Sequence, residues 1–555
     1  MRKLCFFTAL VIMLLSSSSC SETDNSGGRD AQDNSTALAA AANDNVVDKG
    51  PVEGGVLNLF TTKPDTLNPV LTKNAFVQNF TGFIFDAMVK LDKNQRPAPA
   101  LCDTWSVSDD GLIWTFHVRE NVMWHNNVSL TAEDIKFTFD VIQNSRSESA
   151  YKDNISNIAV YTAVDRNSFR IFLKAPDYFI PERMTFPIVP AGYYQGEDVF
   201  VKTSDKNMMP VGTGPYKFIR SQRNDGYRLI SNDLWWGLEE DKNSGLQIPY
   251  INEIDINIYD SPKDEFVAFQ EGYIDVAVAD RGDFSKYSGR PDITTRKYQS
   301  RDFEFIAFNL DNPALKDKAV RQAIALATDK ARIINEVIPG QAVAAELPIN
   351  PNAWIFDNPV SYLPDKSKAR DILVQNGWKQ SGTGMYKSIG GKRVALNFTI
   401  LVNEFNETRY RSAVKLGEQL REAGINIEVK RMDWDEEFKL IRSRKFDMAF
   451  LGCRISSVPD ISFMYSSIQT GEGMNIANYK NPFVDACLDR IIRNSDEKVR
   501  REAFNEMHKI LSDEIPYMGM YFYNNAVLYN RKIRGDMEPC VWNRFNDITK
   551  WYIPG

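Results

Sequence analysis

The sequence is poor in histidine, poor in cysteine and without any surplus of positive charge. Among 555 residues there are three histidines and six cysteines, and 66 Lys and Arg stand against 73 Asp and Glu, a net charge of −7. Proteins that bind nucleic acid neutralise phosphates with clustered Lys and Arg, so this balance predicts no nucleic-acid partner. A histidine-ligated metal site would need two of the scattered His117, His125 and His508 to converge, and none is predicted.

The sequence also lacks the short motifs that mark many enzymes. It has no Gly-x-Ser-x-Gly, no His-Glu-x-x-His, no phosphate-binding Gly-x-x-x-x-Gly-Lys loop and no Gly-x-Gly-x-x-Gly after a strand. Asp109 and Asp110 are adjacent acids, as are Glu436 and Glu437. Neighbours on a chain do not face each other, so both pairs are interpreted as solvated. We therefore predict no catalytic residue, no cofactor and no enzyme.

The N-terminus has the pattern of an export signal that ends in a cysteine. Two basic residues precede an apolar run over residues 4–15, and small residues 16–19 lead to Cys20. This pattern resembles a bacterial lipobox, with Ser17 where lipoboxes usually carry Leu. The resemblance implies a signal peptide over residues 1–19 and lipid on Cys20. The alternative is conventional cleavage with an unmodified Cys20.

Residues 20–50 have the composition of a flexible tether. They are rich in Ser, Asp, Asn, Gly and Ala and contain almost no large apolar residue. Two acyl chains on Cys20 would hold the protein stably, because each buried methylene contributes about 0.8 kcal/mol. No later segment reaches the roughly 18 apolar residues of a membrane-spanning helix. The sequence thus predicts an extracytoplasmic protein that is lipid-anchored to the cell membrane, in a periplasm if the cell has one.

From residue 51 onward, short strands alternate with helices. The apolar alternation over residues 56–60 predicts a strand, and Thr131 followed by acids predicts the start of a helix. Residues 303–310 predict another strand, and residues 316–336 a helix. This density of strand and helix indicates α/β lobes.

The most specific pattern lies in residues 101–139. There Trp-Ser-Val-Ser-Asp-Asp-Gly-Leu from Trp105, Trp-Thr-Phe-His-Val-Arg from Trp114, Val-Met-Trp-His from Val122 and Leu-Thr-Ala-Glu-Asp-Ile from Leu130 follow one another. In this order they resemble the signature of the extracellular solute-binding proteins of family 5, the oligopeptide, dipeptide and nickel receptors of ABC importers.

Further landmarks of that family follow in order, and the resemblance covers residues 54–555. They are Thr-Leu-Asn-Pro at 66–69, Val-Gly-Thr-Gly-Pro-Tyr at 211–216, Val-Arg-Gln-Ala at 320–323 and Glu-Ile-Pro at 514–516. The resemblance implies an α/β fold of the two-lobed periplasmic-binding-protein type, class II or cluster C, with hinge strands and an extra subdomain in the first lobe.

The same resemblance implies how the chain is divided. The first lobe with its extra subdomain would span residues 51–310, the second lobe 311–515, and residues 516–555 would return to the first lobe. Such lobes close over a ligand by a hinge motion. The closed form would dock, as a monomer, on the transmembrane subunits of an ABC permease.

The ligand-binding candidates of the second lobe follow the predicted strand 446–453. An extended strand can pair with the backbone of a peptide whatever its side chains. In peptide-binding relatives a Gly-Trp segment precedes an Asp that neutralises the amino terminus of the peptide. Counted from Gly452, the position of that Trp is Cys453, and the position of that Asp is Ser456.

Because a buried ammonium needs a partner, another carboxylate must be considered. Asp460 is the candidate, or Asp447 if the register slips; a helix cap and a strand residue are their structural alternatives. A carboxylate of the ligand could meet Lys63 or Arg454. Further candidates, with ordinary packing as the alternative, are Phe60, Thr61 and Thr62 where the first strand ends, and Phe83, Trp434 and Tyr465 as pocket walls.

These observations predict a lipoprotein that captures short peptides between two lobes for an ABC importer. The alternative within the family is another small solute, either an oligosaccharide, because exposed aromatic rings stack on sugars, or a metal chelate. A third hypothesis is a lipoprotein that senses or adheres without importing.

Overall fold

The computed structural model describes residues 50–194, 198–219, 226–240, 249–281, 284–357 and 362–554. The predicted signal peptide, Cys20 and the tether up to residue 49 lie outside these ranges. Within them, no helix combines the length and the apolar character needed to cross a membrane.

The strands are β1 (Val56–Thr62), β2 (Val89–Leu91), β3 (Pro97–Pro99), β4 (Cys102–Val107), β5 (Ile113–Val118), β6 (Ile158–Ala163), β7 (Ser168–Leu173), β8 (Tyr216–Ile219), β9 (Gly226–Ser231), β10 (Glu253–Tyr259), β11 (Val276–Ala279), β12 (Ile293–Phe308), β13 (Ala342–Ala344), β14 (Lys379–Ser381), β15 (Gly384–Ile389), β16 (Lys392–Ala395), β17 (Asn397–Asn403), β18 (Asn426–Met432), β19 (Met448–Arg454) and β20 (Tyr517–Asn530).

The α-helices are α1 (Ala75–Ile84), α2 (Ala132–Gln143), α3 (Ile180–Arg183), α4 (Asp205–Met208), α5 (Gly237–Glu240), α6 (Asp264–Gln270), α7 (Lys318–Ala327), α8 (Lys330–Val337), α9 (Lys366–Gln375), α10 (Glu407–Arg421), α11 (Trp434–Arg442), α12 (Ser462–Tyr465), α13 (Pro482–Arg493) and α14 (Glu497–Glu514).

Three sheets carry the architecture. The first has the order β1-β10-β9-β8, the second is the antiparallel sheet β4-β5-β7-β6, and the third has the order β11-β20-β12-β19-β17-β18. The first two sheets share one apolar core. Strands β19, β17 and β18 of the third sheet pack into two other cores. The result is a two-lobed α/β fold.

The long strands β12 and β20 run from one lobe to the other. Tyr298 of β12 and Val527 of β20 belong to the core of the first lobe. Ile306 of β12 and Met518 of β20 belong to a core of the second lobe. The antiparallel pairing of the two strands shifts register between Gln299 and Phe303, at the crossing point. Strands β12 and β20 therefore connect the two lobes.

The sequence predicted several elements, with one correction. The strand at 56–60 is confirmed as β1, and α2 begins with the expected capping box, in which Thr131 N donates to Asp134 Oδ2 at 2.9 Å. The predicted helix 316–336 is instead two helices, α7 and α8. It breaks because Thr328 is extended and Asp329 caps α8, accepting a hydrogen bond from Arg332 N.

The turn at residues 211–216 serves packing. Added Cβ atoms at Gly212 and Gly214 would overlap backbone carbonyls of α1, so only glycine allows this approach. His125 Nε2 lies 3.0 Å from Gly214 O. Burial lowers the pKa of His125 to about 4, so this imidazole is neutral and structural.

Candidate ligand-binding site

Strand β19 carries the candidate residues of the second lobe. It pairs antiparallel with β12, from Met448 opposite Phe308 to Arg454 opposite Asp302. Its first four residues are buried, and Arg454 is exposed. Because β12 passes between the lobes, the end of β19 lies where the lobes meet.

One edge of β19 is only partly paired. β17 pairs with it at Met448 and Ala449, while residues 450–454 pair with β12 alone among the described strands. Alternate backbone groups of a strand point to its two sides, so this segment presents a row of N–H and C=O groups to other partners.

A buried ion pair fills the space beside Gly452. Arg409 Nε donates to Glu304 Oε2 at 2.6 Å and Arg409 Nη2 to Glu304 Oε1 at 3.1 Å. Burial alone would favour a neutral guanidinium, but Glu304 holds the pKa of Arg409 above its usual value. A Cβ at position 452 would collide with both side chains. The structure therefore gives Gly452 the role of leaving room for this pair.

Glu437 corrects the interpretation of the acid pair at 436 and 437. Glu436 is exposed as predicted, but Glu437 is fully buried on α11. Neither of its carboxylate oxygens has a hydrogen-bond partner among the described residues. Burial raises the pKa of Glu437 to about 7, although the charge of Arg409 acts in the opposite direction. Consecutive helical residues point about 100° apart, so one can be buried while the next is solvated.

The loop after β19 reaches the first lobe. Gln95 Nε2 donates to Ser457 O at 2.7 Å and approaches Ser456 O at 3.4 Å. The Ser456 side chain is exposed, and its hydroxyl accepts a hydrogen bond from Val458 N. Ser456 thus lies at the junction of the lobes but carries no charge for an ammonium group.

The two alternative carboxylates have structural partners. Asp447 accepts hydrogen bonds from Asn312 Nδ2 at 2.8 Å and from Thr399 N at 3.0 Å. Its carboxylate is therefore used in the structure at the start of β19. Asp460 accepts from Ser462 N at 2.9 Å, and its charge acts on Arg183 of the first lobe. Of the two, Asp460 is the one at the lobe junction.

The candidates after β1 bond within the first lobe. Thr61 is fully buried, Lys63 is exposed, and Asn74 Nδ2 donates both to Thr62 Oγ1 and to Lys63 O. Among the described residues, no hydrogen bond or ion pair joins residues 60–63 to the second lobe.

The aromatic candidates are placed mainly in packing. Phe60 is buried, with its ring 5.0 Å from Tyr259 and 5.2 Å from Phe76. Tyr465 is also buried, with its ring 5.4 Å from Tyr517. Phe83 lies in the core of the first lobe, whereas Trp434 is half-buried beside Phe438. Of these, Trp434 retains accessible surface for a ligand.

A contact that the sequence did not reveal joins α14 to the first lobe. The Arg500 guanidinium lies 4.2 Å from the Phe179 ring and 4.9 Å from the Trp354 ring. Tyr178 N donates to Ile492 O at 2.8 Å. Phe179 of the first lobe thereby belongs to an apolar core of the second, so the lobes are in close contact here.

Arg301, on β12, is another residue that sequence reasoning missed. Its Nε donates to Ile455 O at 2.7 Å, and Ile455 N donates back to Arg301 O at 2.8 Å. Its guanidinium lies 5.5 Å from the ring of Trp542. Burial, with the nearby positive charge of Arg454 as the next cause, lowers the pKa of Arg301 to about 10.

The described residues contain no cluster of three or more His, Cys, Asp or Glu side chains that could hold a metal ion. Cys453 is a free thiol, and burial together with Glu304 raises its pKa to about 12. It is therefore a protonated, weakly reactive thiol at neutral pH.

Comparison with known proteins identifies the family. The sequence pattern that defines the bacterial extracellular solute-binding proteins, family 5 Middle, matches residues 96–475. The chain belongs to this family. The match confirms the resemblance predicted from residues 101–139 and extends through β19 to the loop after it.

Relatives match this member of family 5 along nearly the whole chain. The oligopeptide-binding protein AppA of Bacillus subtilis is 22% identical over 99% of this chain and 98% of its own. The nickel-binding periplasmic protein of Escherichia coli is 23% identical over 88% of this chain and 91% of its own. The structure of HbpA2 from Haemophilus parasuis covers 90% of this chain and all of its own, with 21% identity and a TM-score of 0.77.

Proposed function

We propose that this protein captures short peptides between its two lobes and delivers them to the membrane subunits of an ABC importer. The observation that carries the proposal is the partly paired edge of β19 at residues 450–454, which lies at the lobe junction. An extended peptide could pair with this edge through its backbone, independently of its side chains. The Bacillus subtilis relative, an oligopeptide-binding protein, supports the same class of ligand.

Candidate ligand contacts surround that edge. Cys453 and Arg454 end the strand, Ser456 and Asp460 follow in the loop that reaches the first lobe, and Trp434 offers a half-buried ring. Lys63 is exposed at the end of β1 and available to a second part of the ligand.

The proposed delivery requires a protein held outside the cytoplasmic membrane. Lipid on Cys20 and a tether up to residue 50 would keep the lobes near the permease while leaving them free to rotate. The proposed lobes span residues 51–310 and 311–515, with residues 516–555 returning to the first. β20 supports this return, because its residues pair with strands of both lobes.

The test is to identify what the protein carries. Full-length protein is purified from membranes and denatured, and the released small molecules are analysed by mass spectrometry. Short peptides of mixed sequence are expected, and intact-mass analysis should show two or more acyl chains on Cys20. A single sugar or metal chelate would contradict peptide capture, and an unmodified Cys20 would contradict the anchor.

A further inference from the structure

The two lobes meet in a second place, through residues that are not candidate ligand contacts. On the first lobe these residues lie in the turn between β2 and β3 and in the segment that leads into α3. Trp354 N donates to Asn94 O at 2.8 Å, and Tyr178 N donates to Ile492 O at 2.8 Å. Arg500 Nη1 donates to Tyr178 O at 3.3 Å. We call this region the α3–α14 contact, and it consists of Asn94, Tyr178, Phe179, Trp354, Ile492 and Arg500.

Phe179 is the apolar centre of the α3–α14 contact. Its side chain is fully buried, in an apolar core that otherwise consists of residues between 303 and 522. The Arg500 guanidinium covers the rings of both Phe179 and Trp354. An aromatic side chain buries roughly 150–250 Å², so separation of the lobes at this point would expose a large apolar surface. Burial of Phe179 therefore favours lobes that are in contact.

Buried charges beside Phe179 oppose this effect. Glu182 on α3 is 1% exposed, and Arg500 on α14 is 4% exposed. Neither Glu182 Oε2 nor Arg500 Nη2 has a hydrogen-bond partner among the described residues. Burial raises the pKa of Glu182 to about 7, although the positive charge of Arg500 acts in the opposite direction. Water would solvate both groups if the lobes separated, so their burial favours separation.

A half-exposed ion pair lies at the rim of the contact. Arg96 Nη1 lies 3.0 Å from Glu497 Oε2, and the Arg96 guanidinium lies 5.2 Å from the ring of Trp354. Such a pair shifts an equilibrium by only about two- to fivefold. The contact thus combines favourable apolar burial, incompletely satisfied charges and a weak outer pair. These opposing contributions allow the contact to form and to break.

We infer that the α3–α14 contact is a latch, which holds the two lobes together before a ligand arrives and releases when they separate. The strength of the latch then sets the fraction of the protein that is closed without ligand. A protein that is already partly closed gives up less free energy to enclose a ligand, so the latch raises the apparent affinity without touching the ligand. The inference goes beyond peptide capture, because it holds for any ligand enclosed between the lobes.

Hydrogen exchange of the full chain without ligand, followed by mass spectrometry, tests the latch. The reporter is the Trp354 amide, because its hydrogen bond to Asn94 crosses the lobe boundary. The reference is the buried part of β19, residues 448–451. The variant is Phe179→Ala. Phe483→Ala is the matched control, because Phe483 is 69% exposed on α13.

In wild type the Trp354 amide should exchange faster than the amides of β19, because the latch opens without unfolding of the lobe. Phe179→Ala should speed exchange at Trp354 by a further 10- to 100-fold, about the factor that burial of a Phe side chain contributes. The control should match wild type. Equal exchange at Trp354 in wild type and Phe179→Ala would overturn the latch. Exchange at Trp354 as slow as in β19 would also overturn it, because the lobes would then be joined permanently here.

A second variant covers the case in which Phe179→Ala also loses protection in β19 and has therefore unfolded. Arg96→Gln removes only the rim pair with Glu497 and should speed exchange at Trp354 about twofold. No change in this variant would overturn the latch.

Adding a randomised tripeptide pool separates the latch from peptide capture. Bound peptide should slow exchange at Trp354 in the folded variant, because it stabilises the closed lobes. A pool without effect would contradict peptide capture, while the ligand-free comparison of wild type with the variants would still decide the latch.

Discussion

Arg409 and Arg301 both lie where β12 pairs with β19, yet they differ in counter-charge. Arg409 is buried and held by both oxygens of Glu304. Arg301 is half-buried, and its Nε bonds only a backbone carbonyl, that of Ile455. The pKa of Arg409 is accordingly raised and that of Arg301 lowered to about 10. The same side chain is thus held by a carboxylate in one place and by a backbone carbonyl in the other.

The largest expected effect is a loss of stability when Arg409, the arginine paired with Glu304, is replaced. Arg409→Met leaves Glu304 buried without its partner, so the free energy of unfolding should fall by about 3–5 kcal/mol. Urea denaturation followed by circular dichroism measures it. The double variant Glu304→Gln with Arg409→Met removes both charges and should recover most of the loss. A single variant as stable as wild type would show that the pair is not structural.

The second-largest expected effect concerns Glu437, which has no hydrogen-bond partner among the described residues and lies beside the Arg409–Glu304 pair. Burial raises the pKa of Glu437 from 4.5 to about 7, so the folded protein holds this proton more tightly than the unfolded chain. The resulting stabilisation is complete below about pH 4 and is lost as pH rises to about 7. Relative to Glu437→Gln, wild type should therefore lose about 3 kcal/mol of unfolding free energy across this window.

Chemical denaturation at a series of pH values measures this difference. Glu436→Gln, on the neighbouring exposed residue, should give a pH profile parallel to that of wild type. A Glu437→Gln profile that is also parallel to wild type would mean that Glu437 is ionised as readily in the folded protein as in the unfolded one.

The third effect tests the space that the paired arginine needs. Gly452→Ala places a methyl group against Arg409 and Glu304 and should lower the unfolding free energy by about 1–3 kcal/mol. Gly82→Ala is the control, because its Cβ would meet no atom within 4 Å on helix α1. That change should be neutral or stabilise by roughly 0.5–1 kcal/mol. Equal melting curves for the two variants would contradict the packing at Gly452.

Local signals made part of this fold predictable from sequence. The cap at Thr131 and the alternation in β1 act within a few residues, so the elements follow from the chain itself. Glu437 carried a usable signal as well, since the buried Ile441 lies one helical turn away on the same face. Arg301 carried none. Its role depends on Ile455 and Trp542, which only the folded chain brings to it.

The most direct test of this comparison is thermal unfolding of wild type, Arg301→Gln and Arg409→Met. Loss of the Arg301 hydrogen bond costs about 1 kcal/mol, so Arg301→Gln should melt within about 4 °C of wild type. Arg409→Met should melt well below both. The contradicting result is an Arg301→Gln protein that melts as low as Arg409→Met.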